Sequence, residues 1–362
     1  MKRLIATGAL LAIWGVAAYL WAPVVIPDNP LLPVGPLTAE AADEGEQPRE
    51  LSIAWVGDIT PGSRYGNPLD QGRAQFARMR GPLRQHDLTI GNLEGTLSVG
   101  GASKCGTDAG QCFSFQGPPE NAAAFRWAGF DLLNLANNHA FDFGPDGQRQ
   151  TLEALDGQRL ASTGRPGQIT VVRRNGVRVA TVGFAPYEWA SELRDLAEVR
   201  RLVRAARRRA DLVLVLAHLG GEGTGAINVP AGRESLGGED RGDTRAFAHT
   251  AIDSGADLVL GSGPHVLRGI EHYRGKLIAY SLANFAGWGN FPTGGALGLS
   301  GLLTVRLSPD GDLRGGRLVP LRLDGPGIPT PDPSRESVEV VNELGRQDFG
   351  GAALRLLPDG SF

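Results

Sequence analysis

The sequence is short of cysteine, lysine and net charge, and these shortages narrow its possible functions. Its 362 residues include two cysteines, too few to complete a cysteine-rich zinc site. Lysine occurs only at Lys2, Lys104 and Lys276, so nearly all basic residues are arginine. The formal net charge is −3, and we expect no nucleic-acid partner for a chain this close to neutrality.

The length and the apolar content favour one large folded domain with appendages. Apolar residues make up 41% of the chain, enough to bury a sizeable core and to exclude a largely disordered protein. Prolines recur over residues 27–50 and predict an extended linker. We predict the folded domain at residues 51–325 and a proline-rich C-terminal appendage at residues 326–362.

The N-terminus carries an uncharged stretch at residues 4–26 that is long enough to cross a bilayer, which needs about 20 apolar residues. Lys2 and Arg3 precede it, and flanking positive charge remains on the cytoplasmic side. We therefore predict a transmembrane anchor over residues 1–26. The protein would be a single-pass protein of the cell membrane with its folded domain outside. A cleaved signal peptide is the alternative, because an A-x-A pattern lies at residues 39–41.

The two cysteines, Cys105 and Cys112, lie in one turn-rich loop. In the oxidising compartment that the anchor predicts, this spacing permits a local disulfide, which we favour. Two unrelated thiols or a metal-binding pair are the alternatives.

Apolar runs of strand length alternate with helical segments, which indicates parallel βαβ units. Extra strands in the middle and at the end of the domain suggest a second sheet. We therefore predict an α/β fold in a layered α/β/β/α arrangement. The predicted strands are 51–56, 88–91, 130–135, 176–184, 211–217, 257–260, 276–280, 302–307 and 318–323. The predicted helices are 73–85, 119–128, 146–155, 192–209, 244–254 and 336–344.

Five of the predicted strands lead into polar side chains that can bind a metal ion. These side chains belong to Asp58, Glu94, Asn138 with His139, His218, and His265. Ligands of α/β sheets bind beyond the carboxyl ends of the strands, so we expect one shared site. Any one of these residues alone would be more typical of a turn, a helix cap or a buried structural position. Their mixture of oxygen and imidazole donors favours Mn, Fe or Zn over Ca or Mg.

The site residues lie in motifs that resemble those of a known family. The motifs are Gly57-Asp58, Asn92-Leu93-Glu94-Gly95, Asn137-Asn138-His139-Ala140-Phe141-Asp142-Phe143-Gly144, His218-Leu219-Gly220, Pro264-His265-Val266 and the run from Gly269 to Phe285. Together they resemble the CapA family, named for the synthesis of capsular poly-γ-glutamate, over roughly residues 51–323. The resemblance implies a branch of the calcineurin-like metallophosphoesterases, with a double-sheet sandwich flanked by helices.

The resemblance also implies a role for each site residue, with one or two divalent transition-metal ions as cofactor. The implied metal ligands are Asp58, Glu94, Asn138, His218 and His265, with Glu94 bridging two ions. His139 would protonate a leaving group or stabilise charge. Asp142 and Asn284 would orient His139 or a ligand. Asn137 and Arg64 would support the site or contact the substrate, and Arg64 is placed to reach a substrate anion.

Three residues depart from the family pattern. Gly263 stands where the family commonly has histidine, and Thr60 stands where phosphoesterases have histidine. Ala283 replaces a usual glycine. Because Gly263 has no side-chain donor, a one-metal or non-catalytic site is an alternative to a two-metal site.

These features predict a metal-dependent hydrolase of the cell envelope that acts on a phosphoester or on an amide-linked polymer. The alternative is a non-catalytic subunit that binds or exports an anionic capsule polymer such as poly-γ-glutamate. A secreted nucleotidase is a third, weaker hypothesis. The expected partners are the polymer or a phosphoester, the membrane, and other subunits of capsule synthesis.

Overall fold

The computed structural model describes residues 49–106 and 112–362. The predicted anchor at residues 1–26 and the linker up to residue 48 lie outside the described residues. Within the described ranges, no helix has both the length and the apolar character needed to span a bilayer.

The described chain alternates strands with helices along most of its length. The strands are β1 (Leu51–Ile59), β2 (Leu88–Leu93), β3 (Thr96–Leu97), β4 (Gln116–Gly117), β5 (Leu132–Asn134), β6 (Ala161–Thr163), β7 (Thr170–Arg174), β8 (Val177–Ala185), β9 (Ser191–Glu192), β10 (Leu212–His218), β11 (Glu234–Leu236), β12 (Glu239–Gly242), β13 (Leu258–Ser262), β14 (Ile270–Tyr273), β15 (Lys276–Ala279), β16 (Asn284–Ala286), β17 (Leu299–Leu307), β18 (Leu313–Asp324) and β19 (Ile328–Pro331). The α-helices are α1 (Arg80–Leu83), α2 (Ala122–Ala128), α3 (Gly144–Gly157), α4 (Leu196–Arg207), α5 (Thr244–Asp253) and α6 (Glu336–Phe349). Short 3₁₀ helices cover Arg73–Phe76, Pro119–Asn121, Thr224–Ala226, Gly295–Gly298 and Gly350–Ala352.

The first large sheet has eight strands in the order β19-β18-β17-β1-β2-β5-β6, with β16 paired to β1. Strands β1, β2, β5 and β6 run parallel, whereas β17, β18 and β19 extend the sheet through antiparallel pairs. The carboxyl ends of β1, β2 and β5 therefore lie along one edge of this sheet.

The second large sheet has seven strands in the order β14-β15-β13-β10-β8-β7, with β9 paired to β8. Strands β8, β10, β13 and β15 run parallel. Every residue of β10 is buried, which is typical of a parallel strand covered on both faces. A mixed α/β fold with more than one sheet, as the sequence predicted, is thus confirmed.

Three apolar clusters define the layers of the domain. One lies between the two large sheets and includes Trp55 of β1 and Leu214 of β10. A second packs the seven-stranded sheet against α4 and α5, and a third packs the eight-stranded sheet against α2 and α3. Between the sheets, the indole nitrogen of Trp55 donates a hydrogen bond to the carbonyl oxygen of Gly261 at 3.2 Å.

Two of the differences from the sequence-based prediction change the architecture. The predicted helix at 73–85 is broken into a 3₁₀ turn and the single turn α1, which contains Gly81 and Pro82. Proline lacks an amide hydrogen and glycine favours flexible backbone, so neither extends a helix well. The predicted C-terminal appendage instead adds β19 to the first sheet, and α6 buries Val338 and Val341 in the core between the sheets. Residues 326–362 are thus integrated with the domain.

Candidate metal centre

Polar side chains at the carboxyl ends of strands from both sheets meet around Glu94, which follows β2. The Oε1 atom of Glu94 lies 3.6 Å from Nε2 of His265, 3.9 Å from Nε2 of His139 and 4.0 Å from Nε2 of His218. Asp58, Glu94 and His218 each offer a ligand atom, and these atoms lie within 4.8 Å of one another. Residues at or just beyond the carboxyl ends of five different strands are therefore gathered at one place.

Several of these atoms are buried without a hydrogen-bond partner in the described part of the chain. They are both carboxylate oxygens of Glu94, Nε2 of His218 and Oδ1 of Asn138. Buried polar atoms are normally satisfied, because leaving one unpaired is costly. Two donors of one tetrahedral zinc ion lie about 3.4 Å apart, which is close to the imidazole–carboxylate distances around Glu94. The residues present therefore fit a divalent transition metal.

Asp58, which lies near the end of β1, is held by three neighbours. Its Oδ1 accepts a hydrogen bond from Asn92 at 2.8 Å, and its Oδ2 accepts one from the Gly263 amide at 3.2 Å. Nδ1 of His265 lies 3.1 Å from the same Oδ2. Burial alone would raise the pKa of Asp58, but the hydrogen bond and charge of His265 outweigh it, and the pKa is lowered. Asp58 therefore enters the site as a carboxylate.

Asn92 connects the strand ends of the eight-stranded sheet. Besides donating to Asp58, its side-chain oxygen accepts hydrogen bonds from Asn134 at 2.9 Å and from Asn137 at 3.3 Å. The side-chain oxygen of Asn137 also accepts a hydrogen bond from the backbone amide of His139 at 3.0 Å. This network fixes the loop after β5, and with it the position of the His139 backbone.

His265 has one ring nitrogen held and the other directed at carboxylates. Its Nδ1 lies 2.8 Å from Oδ1 of Asn284, while its Nε2 faces Glu94 and lies 3.7 Å from Oε2 of Glu222. Its backbone is left-handed, with φ of 59°, an uncommon state for a residue with a side chain. Burial would lower the pKa of His265, but Glu94 and Asp58 raise it to about 10. In the metal-free protein at neutral pH this imidazole is therefore protonated on both nitrogens and positively charged.

His139 and Asp142 form a buried pair. Nδ1 of His139 lies 2.7 Å from Oδ2 of Asp142, which also accepts the Phe115 amide at 2.6 Å. Lys104 reaches the pair, with its Nζ 2.7 Å from Oδ1 of Asp142 and 3.1 Å from the carbonyl oxygen of Asn138, to which it donates. Burial lowers the pKa of His139, although Asp142 opposes the shift. Nε2 of His139 is left facing Glu94.

The three departures from the family pattern have clear local surroundings. Gly263 has φ of 111°, and a Cβ there would lie 3.1 Å from the His218 ring, so a side chain is disfavoured. Thr60 donates its hydroxyl to Asn290 at 3.1 Å. Ala283 has φ of 62°, a conformation that glycine adopts without strain. The backbone at Ala283 thus has the left-handed conformation typical of glycine, although the residue carries a side chain.

Arg64 and the cysteines lie beside the metal centre. Cys105 and Cys112 are joined by a disulfide, with their Cα atoms 5.5 Å apart. A cavity of about 120 Å³ lies between this disulfide and Arg64, whose guanidinium is 5.0 Å from the ring of Tyr65. Phe115 lines the cavity and also packs on His139, so the cavity adjoins the centre.

Three further residues reach the centre without having been singled out from the sequence. They are Asn92, Lys104 and Glu222. Asn92 stands in the Asn-Leu-Glu motif, and Lys104 is one of three lysines and adjoins a cysteine. Glu222 follows His218 by four residues in a glycine-rich loop. These sequence features could have drawn attention to the three residues, but none of the features specifies that the side chain contacts the metal centre.

An α/β domain with carboxylates and imidazoles gathered at its strand ends is able to hold a divalent metal ion. The family described as "Bacterial capsule synthesis protein PGA_cap" matches residues 52–287, which include all the proposed metal ligands. The chain belongs to this family, and the CapA-family resemblance is confirmed.

Two curated relatives have related names. "PGA biosynthesis protein CapA" of Bacillus subtilis is 30% identical over 260 residues, which cover 66% of this chain and 64% of that protein. "Capsule biosynthesis protein CapA" of Bacillus anthracis is 29% identical over 269 residues, which cover 66% of this chain and 61% of that protein. The chain thus spans less than two thirds of the length of either relative.

Among solved structures, a putative 5′-nucleotidase from Staphylococcus aureus is similar to this chain with a TM-score of 0.44 and 15% identity. The match covers 82% of this chain and 58% of that one. A TM-score of this size does not define a shared fold.

Proposed function

We propose that this chain is a metal-dependent, hydrolase-like protein of capsule synthesis that acts outside the cytoplasm. The observation that carries the proposal is the state of Glu94. Its carboxylate is fully buried, accepts no hydrogen bond from the part of the chain that the structure describes, and is surrounded by three imidazole nitrogens. A buried carboxylate of this kind is stabilised by a cation, and the donors around it suit Mn, Fe or Zn.

The residues of the centre divide into ligands and a proton-transfer pair. Asp58, Glu94, Asn138, His218 and His265 would hold one or two ions. When bound, the metal would serve as a Lewis acid toward a phosphoryl or carbonyl group. His139 would exchange a proton through Nε2, since its Nδ1 is engaged by Asp142. Lys104 would hold the carboxylate of Asp142 in place, and Asn284 would fix the ring of His265.

The family and the site together support a proposal for the substrate class. The relatives are named for PGA and capsule biosynthesis, and a Lewis-acid centre is suited to an amide or phosphoester bond. We propose an anionic capsule polymer such as poly-γ-glutamate, or a phosphoester, as the substrate. We also propose that the N-terminal stretch anchors the chain in the membrane beside other subunits of capsule synthesis.

Metal analysis and turnover test this proposal together. The purified full-length protein should contain about one or two transition-metal ions, which EDTA should remove. Poly-γ-glutamate and a chromogenic phosphodiester serve as substrates. His139→Ala should lower turnover by about 10²–10⁴-fold while the protein remains folded, because a general acid or base contributes that much.

Glu153→Gln on the exposed face of α3 is the matched control and should leave metal content and turnover unchanged. A folded wild-type protein that takes up no Mn, Fe or Zn, even when supplied with them, would contradict the proposal.

The second candidate function is a non-catalytic subunit that binds or exports the polymer. Gly263 favours it, because the position where the family commonly has histidine offers no donor. This function predicts that poly-γ-glutamate binds equally well before and after EDTA treatment. Loss of all polymer binding on chelation would exclude it.

A further inference from the structure

Glu222 lies in the loop after β10, on the side of the centre where His265 presents its free nitrogen. Nε2 of His265 lies 3.7 Å from Oε2 of Glu222 and 3.6 Å from Oε1 of Glu94. Because Asn284 and Asp58 occupy the region around Nδ1, Nε2 is the ring atom of His265 that can bind a metal. This atom therefore faces two carboxylates at nearly the same distance.

The backbone on both sides of Glu222 is fixed. The Gly221 amide donates to Glu234 at 3.0 Å, and the Gly223 amide donates to the carbonyl oxygen of Pro264 at 2.9 Å. The second bond ties the Glu222 loop directly to the loop that carries His265. The separation between Glu222 and His265 is thus set by backbone hydrogen bonds as well as by side chains.

The side chain of Glu222 is oriented by Arg241. The Nη2 of Arg241 donates to Oε1 of Glu222 at 2.8 Å, which leaves Oε2 directed at His265. Arg241 is only 2% exposed, so its guanidinium has little freedom to move. Its Nε lies 3.5 Å from a second carboxylate, that of Glu239. Within the described residues, Glu239 makes no ion pair with an imidazole of the centre, so Arg241 joins one carboxylate at the centre to one outside it.

Two positions next to the ligands offer no side-chain donor to an ion. Gly263 has no side chain, and the hydroxyl of Thr60 is bonded to Asn290. A zinc ion with protein ligands alone needs four donors, and even a catalytic zinc usually has three. Glu222 is the further carboxylate beside Nε2 of His265, so it can add a donor to an ion held there.

We propose that Glu222 is an additional metal ligand, placed by Arg241, which completes the coordination of the ion bound by Glu94 and His265. The 3.7 Å separation between Glu222 and His265 is close to the roughly 3.4 Å expected for two donors of one tetrahedral ion. The inference rests on the metal centre of the proposed function. It assigns Arg241 as a positioning residue that would not touch the ion.

Metal titration tests the assignment without relying on turnover. Full-length protein is stripped with a chelator and titrated with Mn²⁺ or Zn²⁺ in a calorimeter. Glu222→Gln should bind at least one ion about tenfold or more weakly, or lose one ion of the stoichiometry. Glu222→Asp keeps the charge but withdraws the oxygen, and it should also weaken binding.

Glu239→Gln is the matched control, because it removes the same charge from the other side of Arg241. It should change the affinity by less than about twofold. A Co²⁺-substituted sample gives a second readout, since its visible absorption should change in Glu222→Gln but not in Glu239→Gln.

The outcomes separate the two claims. If wild-type protein binds metal and Glu222→Gln binds it equally, Glu222 is not a ligand and the proposed function stands. Equal weakening by Glu222→Gln and Glu239→Gln would also overturn the assignment, because the effect would then be that of charge alone. Wild-type protein that binds no metal would overturn both the assignment and the proposed function.

Discussion

Two buried glutamates, Glu94 and Glu234, have opposite surroundings within one domain. Glu94 is 0% exposed and neither of its oxygens has a hydrogen-bond partner. Glu234 is 9% exposed and is fully engaged. It accepts hydrogen bonds from Arg268 at 2.6 and 3.1 Å, from Thr244 at 2.5 Å and from the Gly221 amide at 3.0 Å. The difference is one of partners and not of burial.

The pKa values of the two carboxyls shift in opposite directions. Burial raises the pKa of Glu94 well above its ordinary value; the charge of His265 opposes the shift, and the charges of Asp58 and Glu222 add to it. Burial also acts to raise the pKa of Glu234, but the Arg268 hydrogen bonds outweigh it and the pKa is lowered. Glu234 is thus compensated within the fold, whereas Glu94 needs a cation. A perturbed carboxyl without an internal partner is the one that marks the functional site.

Glu234→Gln should have the largest effect on stability. It leaves the guanidinium of Arg268, which is 0% exposed, without its counter-charge. Breaking a buried ion pair in this way costs about 3–5 kcal/mol, which urea denaturation of the metal-free protein would measure. Glu153→Gln, at an exposed ion pair on α3, is the control and should leave the stability near that of the wild type. A change at Glu234 as small as that of the control would remove the contrast with Glu94.

Glu94→Gln should act in the opposite direction on the metal-free protein. It removes a buried carboxyl whose pKa is raised despite the charge of His265, so the free energy of unfolding at neutral pH should rise by about 1–3 kcal/mol. With Mn²⁺ or Zn²⁺ present, the wild type should be more stable than Glu94→Gln, because only the wild type then gains the full binding energy of the metal. Thermal unfolding with EDTA and with excess metal measures both effects. A metal-free Glu94→Gln protein that is less stable than the wild type would contradict this view.

Acidification should sharpen the comparison, with a smaller effect. Because the pKa of Glu234 is lowered, its contribution is fully present above the unfolded value of 4.5 and is lost as the pH falls below it. Because the pKa of Glu94 is raised, its charge costs stability at neutral pH, and this cost disappears as the pH falls toward 4.5. The advantage of Glu94→Gln should therefore shrink between pH 7 and 5, by about 1.4 kcal/mol per pH unit at most. Denaturation curves of metal-free protein at several pH values would show it, and an advantage that grew with acid would be inconsistent with these shifts.

The strands that position the centre could be predicted from the sequence because they are continuous apolar runs. The predicted strand at 211–217 differs from β10 by one residue at each end. The strand predicted at 51–56 continues to Ile59 in the structure, so Asp58 lies within β1 and not after it. The short strands β3, β4, β9 and β16 have two or three residues each, too few for a periodic pattern to be recognised.

The site residues likewise divide into those that could be predicted from the sequence and those that could not. His218 and His265 follow long apolar runs, so strand-end reasoning could identify them. Lys104 and Glu222 lie in loops, and their contacts depend on how those loops fold back onto the sheets. The loop of Glu222 is fixed by a hydrogen bond from the Gly223 amide to the carbonyl oxygen of Pro264, which lies 41 residues after Gly223 in the sequence. No local pattern in the sequence encodes a contact of that range.

The hydrogen bond from Trp55 to Gly261 spans the two sheets a short distance below the metal centre. Asp58 and Glu94 belong to one sheet, and His218 and His265 to the other. An ion bound by all four of these side chains would cross-link the two sheets. The Trp55 hydrogen bond would be a second link between the sheets. Sliding of one sheet past the other would then be resisted at two places, and the metal-loaded sandwich would be more rigid than the metal-free one.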